Sequence, residues 1–362
     1  MTSVPSPPRA WLPQLLEAFA ARKTPALARV VSLVENQSPG FEEVLAALHS
    51  RTGRARRIGL TGPPGAGKST LASRLIEYYR TAGLEVGVLA VDPTSPFSGG
   101  ALLGDRIRME DVALDPGVFI RSLATRGSLG GISAATRAVA DVLDAFGFDI
   151  VLIETVGVGQ SELEIARIAD STVVVLVPES GDSIQVLKAG LMEIADIYVV
   201  NKADRPGADR LRNDIQAMLA MRRGQVLSNV PAHHGVALAR MGTARGAVPA
   251  SPEAGGESWT PPVLRAVAVR GEGTEAIARA LDKHFEYLRS TGELQKRRQH
   301  RLRDQVRDAV EHRIRSRFWN DAEVTNFVDS LLPAIERGET SPYAVADELL
   351  ARGVRAFVRS EK

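Results

Sequence analysis

The chain has 362 residues, 44% hydrophobic and 24% charged, with a formal net charge of +2, the proportions of an ordinary soluble protein able to bury a sizeable core. There is no cysteine, which excludes disulfides, thiolate metal sites and cysteine nucleophiles and fits a reducing cytoplasm. With charges so nearly balanced, the basic pI of about 9.0 is poor evidence for nucleic-acid binding, and no nucleic-acid partner is expected. No apolar run reaches the roughly 18 residues of a membrane span. The N-terminus lacks the apolar stretch and cleavage site of a signal peptide, so a cytoplasmic location is expected.

In chain order, residues 1–10 are rich in proline and serine, and helical spacing follows to residue 50. Leu12, Leu15, Leu16 and Phe19 form the first stripe, Leu27, Val30, Val31 and Val34 the second, and Phe41, Val44, Leu45 and Leu48 the third. Residues 1–55 therefore read as a helical N-terminal extension. From Arg57 onward, β-rich apolar runs alternate with helical patterns. The candidate strands are 58–61, 86–92, 118–122, 150–155, 172–178, 197–201 and 263–269. Runs such as 172–178 are apolar throughout, so both faces should be buried, as in a doubly wound, mostly parallel α/β sheet covered by helices on each side.

This α/β domain is placed at 56–283, interrupted by 223–260, a stretch dense in Ala, Gly, Pro and Ser that reads as a loop insertion. Beyond Thr274 the pattern is helical. Between Lys296 and Arg317 nine Lys/Arg face three acids, while Leu302, Val306, Val310 and Ile314 recur at four-residue steps. That is an apolar seam under a solvated charged face, suited to dimerisation. Residues 327–351 read as two short helices broken by Pro342. The region 284–362 is thus expected to be a helical dimerisation region.

Residues Gly62, Pro63, Pro64, Gly65, Ala66, Gly67, Lys68 and Ser69 match G-x-x-x-x-G-K-[S/T] between a strand and a helix that continues through Thr70. Glycines let backbone amides ring phosphate groups, the helix N-terminus adds its positive end, and Lys68 reaches the β and γ oxygens. The Ser69 hydroxyl suits Mg²⁺, whose other ligands should be carboxylates at neighbouring strand ends. Asp92 ends one strand, Asp105 follows in a glycine-rich segment, and Glu154 ends the strand 150–155; each could instead cap a helix. Glu154, Thr155, Val156 and Gly157 resemble a D-x-x-G switch with glutamate for aspartate, Gly157 offering its amide to a γ-phosphate. Gln160 could orient the attacking water or face solvent. Lys68, Asp92 and Gln160 are the catalytic candidates.

Asn201, Lys202, Ala203 and Asp204 follow an apolar strand in the order N-K-x-D. The Asp204 carboxylate can accept two hydrogen bonds from the ring and exocyclic N–H groups of guanine, which adenine cannot offer. Lys202 would lie over the base and Asn201 would tie its loop to the phosphate loop. The expected ligands are therefore GTP or GDP with Mg²⁺. After the strand 263–269 a Ser-Ala pair that could meet guanine O6 is missing, which leaves the backbone of Ala268 for that contact.

Taken together, residues 62–70, VDPTSP at 91–96 with GDR at 104–106, RSLATRG at 121–127, ETVGVGQSE at 154–162, GDSIQ at 181–185 and KAGLMEIAD at 188–196 resemble the MeaB/ArgK (methylmalonic aciduria type A) family. These are P-loop GTPases of the branch that holds signal-recognition and nickel-insertion GTPases (SIMIBI-like). The resemblance spans about residues 25 to 300. It implies a partner, an adenosylcobalamin-dependent acyl-CoA mutase such as methylmalonyl-CoA mutase, whose cofactor loading is gated and whose activity is protected by GTP hydrolysis. It also implies a homodimer through the C-terminal helices and a further switch at 177–188, with Asp182, Gln185 and Lys188 as its polar members; the alternative is a plain strand-to-helix loop. Hydrolysis should be slow alone and stimulated by the partner, with Arg106, Arg108, Arg121 and Arg126 as candidate arginine fingers. The alternative is a GTP-dependent kinase of a transport protein or small molecule.

Overall fold

The computed structural model describes residues 10–92, 109–124, 134–155, 161–178, 191–222 and 258–359. By backbone proximity the chain divides into two compact units, Leu15–Arg298 and Gln299–Lys362 together with Met1–Gln14.

The larger unit is built on seven strands: β1 (Arg56–Thr61), β2 (Val86–Asp92), β3 (Val118–Ala124), β4 (Ile150–Thr155), β5 (Ser171–Leu176), β6 (Ile197–Val200) and β7 (Val263–Arg265). Their order is β3-β2-β4-β1-β5-β6-β7, with every neighbouring pair parallel. The chain builds β2 to β4 on one side of β1 and β5 to β7 on the other. The C-terminal ends of β1 and β4 therefore sit at the switch point where open α/β sheets bind ligands.

Strand alternation explains the two cores. Val173 and Val175 face one side of the sheet, with Leu71, Leu75 and Ile76 of the helix Lys68–Thr81 and Ile277 and Leu281 of the helix Thr274–Ser290. Val174 and Leu176 face the other, with Tyr198, Val200, and Leu211 and Ile215 of the helix Ala208–Arg222. All six residues of β5 are buried, and after Ser171 and Thr172 its residues 173–176 read as unbroken apolar sequence. Each Val, Leu or Ile so buried contributes about 1.5–3 kcal/mol of transfer free energy.

Three short helices, Leu12–Ala20, Thr24–Glu35 and Phe41–Leu48, match the N-terminal stripes. Phe19 meets Phe146 edge-on, with ring centroids 5.0 Å apart. At the lower edge of the sheet, buried Arg57 pairs with Asp141 at 2.6 Å and Asp144 at 3.1 Å, and their attraction outweighs burial, raising the Arg57 pKa.

Two elements differ from expectation. The last strand stops at Arg265 rather than 269, because Val267 bridges to Glu272 and the backbone turns through a 3₁₀ segment Ala268–Arg270 to Gly271 at φ +72°. The helical region after Thr274 breaks at Thr291–Gly292, where Gly292 takes φ +75°. The helix Glu293–Trp319 follows. In the second unit Asp321 caps the helix Ala322–Glu336 by accepting from the Glu323 amide at 2.8 Å, and Pro342 opens the helix Pro342–Arg359. No described helix is long and apolar enough to cross a membrane.

Candidate functional site

The loop between β1 and the helix Lys68–Thr81 is shaped by glycines held at positive φ: Gly62 at +136° and Gly67 at +85°. A Cβ on Gly62 would lie 2.1 Å from the Val175 carbonyl oxygen, so the loop can leave β1 beside β5 only with glycine there. Pro63 and Ala66 are buried while Pro64 and Gly65 are exposed at the rim, and Thr70 is half-buried in the first turn. The Lys68 ammonium is buried and donates to the carbonyls of Gly62 at 2.8 Å and Pro63 at 3.0 Å. It spans the mouth of the loop, where it can reach a phosphate chain.

Below the helix start, the Ser69 hydroxyl donates to Glu154 Oε1 at 2.6 Å, and both residues are buried. Glu154 is brought there by register: β1 pairs with β4 so that Leu60 lies opposite Glu154. One residue on, the Thr155 hydroxyl donates to that of Thr61 at 3.1 Å, locking the two strand ends. The donor set, a hydroxyl and a carboxylate side by side, is all oxygen and fits Mg²⁺, which takes few protein ligands and keeps the rest for water and phosphate. The described residues contain no group of three or more His, Cys, Asp or Glu that could hold a metal ion. The backbone of Asp92 closes β2 opposite Ala124. Asp105, Gly157, Gln160, Asp182, Gln185 and Lys188 lie outside the described residues, as do Arg106, Arg108 and Arg126.

Asn201, at the end of β6, is buried and joins two loops. Its Nδ2 donates to the Ala66 carbonyl at 2.8 Å, and its Oδ1 accepts from the Ala268 amide at 3.1 Å. The Ala268 amide, expected at guanine O6, is thus directed at Asn201. Lys202 holds a left-handed backbone at φ +55°, which turns the chain so that Asp204 stands at the surface. There Asp204 pairs with Arg270 at 3.0 Å.

Several supporting residues carry no motif. Arg74, on the phosphate-loop helix, donates to the carbonyls of Ala268 at 3.2 Å and Val269 at 3.3 Å, bracing the last loop from beneath. Its only sequence signal is a basic residue on an amphipathic helix. Arg121, a candidate finger, is engaged elsewhere: its Nε donates to Glu35 at 3.0 Å, tying β3 to the helix Thr24–Glu35.

Residues 27–323 match the family described as "Methylmalonyl Co-A mutase-associated GTPase MeaB". A Pyrococcus horikoshii protein named as a GTPase is 40% identical over 339 residues, 94% of this chain and 97% of its own length. The GTPase ArgK of Escherichia coli is 32% identical, over 87% of this chain and 88% of its own. Among solved structures, that of a protein named as a LAO/AO transport system kinase superposes with TM-score 0.64 at 26% identity, over 96% of this chain and 98% of that one.

Proposed function

The chain belongs to the MeaB family of GTPases, and we propose that its GTP hydrolysis times a handover on an adenosylcobalamin-dependent acyl-CoA mutase, methylmalonyl-CoA mutase or a relative, gating cofactor loading and protecting the loaded enzyme. The carrying observation is the Asn201 bridge: one buried side chain holds the phosphate loop and the candidate base loop together. The mutase reading rests on the description of the family.

Hydrolysis would proceed by in-line attack of water on the γ-phosphorus, a reaction that leaves positioning and charge neutralisation to the protein. Lys68 would exchange the Gly62 and Pro63 carbonyls for β and γ oxygens, while loop amides hold the remaining phosphate oxygens. Ser69 and Glu154, with Asp92 and Asp105, would hold Mg²⁺, which when bound neutralises charge on the phosphate oxygens. Asp204 would leave Arg270 for the N–H groups of guanine, with Lys202 over the base. Gln160 would orient the water, Gly157 would sense the γ-phosphate, and Asp182, Gln185 and Lys188 would pass that state to the mutase. The half-exposed Leu302, Val306, Val310 and Ile314 give the seam on which two copies would pair.

The test is GTP turnover by the purified chain, alone and with purified methylmalonyl-CoA mutase. Acceleration of about tenfold or more is expected; equal rates, with no mutase retained in either the GTP or the GDP state, would overturn the coupling. The kinase name carried by the solved relative favours one other reading, phosphoryl transfer to an acceptor. With γ-labelled GTP the label should appear only in inorganic phosphate, and label on another molecule would decide for the kinase.

A further inference from the structure

A cavity of about 520 Å³ opens at the end of the sheet opposite the phosphate loop, beside the first residues of β1 and β4. That volume falls within the range of small-molecule sites, roughly 300–1,000 Å³. Its wall includes four arginines, Arg22, Arg51, Arg54 and Arg56, and its floor includes the half-buried Leu84 and Phe285.

The arginines differ in what they already hold. Arg22 pairs with Glu85 and lies 5.1 Å from the centroid of the Phe146 ring, and its left-handed backbone (φ +57°) aims it there. It also donates to the Gly147 carbonyl at 3.4 Å, offsetting the negative end of the helix Ala134–Phe146. Arg56 pairs with Asp282 at 2.7 Å and lies 4.7 Å from the centroid of the Phe285 ring. Arg51 faces the Phe19 ring at 5.9 Å, and neither it nor the exposed Arg54 has a carboxylate partner among the described residues.

The two acids of the wall are already committed. Asp144 accepts from the amides of Gly53 at 2.8 Å, Arg54 at 3.0 Å and Ala55 at 2.9 Å, and pairs with buried Arg57. Asp149 accepts from the Glu85 amide at 2.8 Å. The Asp144 contacts hold the chain at 53–55 in place and so set where Arg51 and Arg54 stand. Two guanidinium groups without a counter-charge, beside an apolar floor, make a site for an oxyanion carried on an apolar body, since guanidinium matches phosphate geometry bidentately.

We propose that this cavity is a second ligand site, separate from the guanine-nucleotide site, for a small phosphate-bearing molecule with a planar or apolar body. Arg51 and Arg54 take the phosphate, Arg22 and Arg56 hold the aromatic walls in place, and Leu84 and Phe285 receive the body.

The test is titration calorimetry on the full chain saturated with GDP, which fills the guanine site, using adenosine 5′-diphosphate and inorganic phosphate as probes. The expectation is saturable one-to-one binding of adenosine 5′-diphosphate, tighter than phosphate and weakening with salt. Arg54→Gln should lower that affinity about tenfold, and Arg51→Gln with Arg54→Gln further, the loss of one and two charge-assisted contacts. GDP affinity and melting temperature should stay at the wild-type values, which separates a lost ligand contact from a lost fold. No saturable binding up to millimolar probe, undiminished binding in the double variant, or displacement of GDP by the probe would each overturn the site. Equal affinity for phosphate and adenosine 5′-diphosphate would overturn the assignment of a body to the floor.

Discussion

The Ser69 hydroxyl donates to Glu154 at 2.6 Å with both residues buried, so the last residue of the phosphate-loop motif and the strand-end acid form one unit. Ser69→Ala removes both a metal-suited oxygen and the donor to the buried Glu154 Oε1. GTP hydrolysis in Mg²⁺ should fall about a hundredfold, the equivalent of roughly 2.7 kcal/mol. The free chain should lose about 1–3 kcal/mol of stability. Steady-state turnover and denaturant unfolding check the two halves separately; turnover that keeps its wild-type Mg²⁺ dependence would remove Ser69 from the metal reading.

Asn201 makes two buried hydrogen bonds to two loops. Asn201→Ala leaves the Ala66 carbonyl and the Ala268 amide without that partner, at about 2–3 kcal/mol in all, and guanine nucleotide affinity should drop with it. Asn201→Asp keeps the acceptor for Ala268 but sets a buried carboxylate oxygen against the Ala66 carbonyl, so it should bind GDP no better than Asn201→Ala. If both variants bind GDP as wild type does, the bridge has no part in forming the site.

The motifs at 62–69 and 201–204 stand out in the sequence because each is a local spacing: a glycine turn entering a helix, and an acid three places beyond an asparagine at a strand end. The sheet was legible because strands buried on both faces read as largely apolar runs, as 173–176 within β5 shows. What stayed hidden is held by contacts far apart in sequence. Arg74 braces Ala268 from 194 residues away, and Arg297 reaches Asp196 across 101. Basic residues on helix faces look alike whether they meet water or a buried carboxylate. The overlong last strand at 263–269 has a related cause: the apolar run continues, but Gly271 and the bridge from Val267 to Glu272 turn the backbone out of the sheet.

Gly62 and Gly65 both hold positive φ, yet only one is crowded. A methyl group on Gly62 would lie 2.1 Å from the Val175 carbonyl, whereas one on Gly65 meets nothing within 4 Å. Gly65→Ala should cost about 1–2 kcal/mol for its left-handed backbone alone. Gly62→Ala must move the loop off β5, and should both melt at a lower temperature and lose GDP binding. Comparable melting curves for the two variants would count against the loop geometry.

Asp204 and Arg270 form an exposed pair at 3.0 Å, so Arg270 occupies the carboxylate that guanine would need. Arg270→Ala should leave GDP affinity unchanged within a few-fold or raise it, because an exposed pair is worth only about 0–1 kcal/mol. Asp204→Asn should lose guanine and gain xanthine, whose C2 carbonyl accepts from the new amide where the guanine amino group cannot. Competition between GDP and xanthosine diphosphate reads this directly. An Asp204→Asn variant still preferring GDP would take base selection away from Asp204.

At the lower edge of the sheet Asp196 is buried between His284 at 3.2 Å and Arg297 at 2.9 Å, and it accepts from the Thr172 amide at 2.8 Å. Burial by itself opposes ionisation of its carboxyl, but the hydrogen bonds and charges of His284 and Arg297 prevail and hold it below the usual carboxylate range. A group whose pKa is lowered by folding contributes stability that is present above its unfolded value, about 3.9, and is lost as pH falls through the still lower folded value. Between pH 5 and 8 this group should therefore leave stability level, and below about pH 4 the wild-type chain should weaken as Asp196 takes up a proton. Asp196→Asn removes the charge and leaves Arg297 facing a neutral amide, so at pH 7 the variant should be less stable by about 3 kcal/mol. The difference between wild type and variant isolates Asp196 from the other acids. It should shrink as pH drops below 4, as followed by denaturant unfolding at each pH. A difference that persists undiminished at low pH would mean that Asp196 acts through shape and neutral hydrogen bonding rather than through its charge.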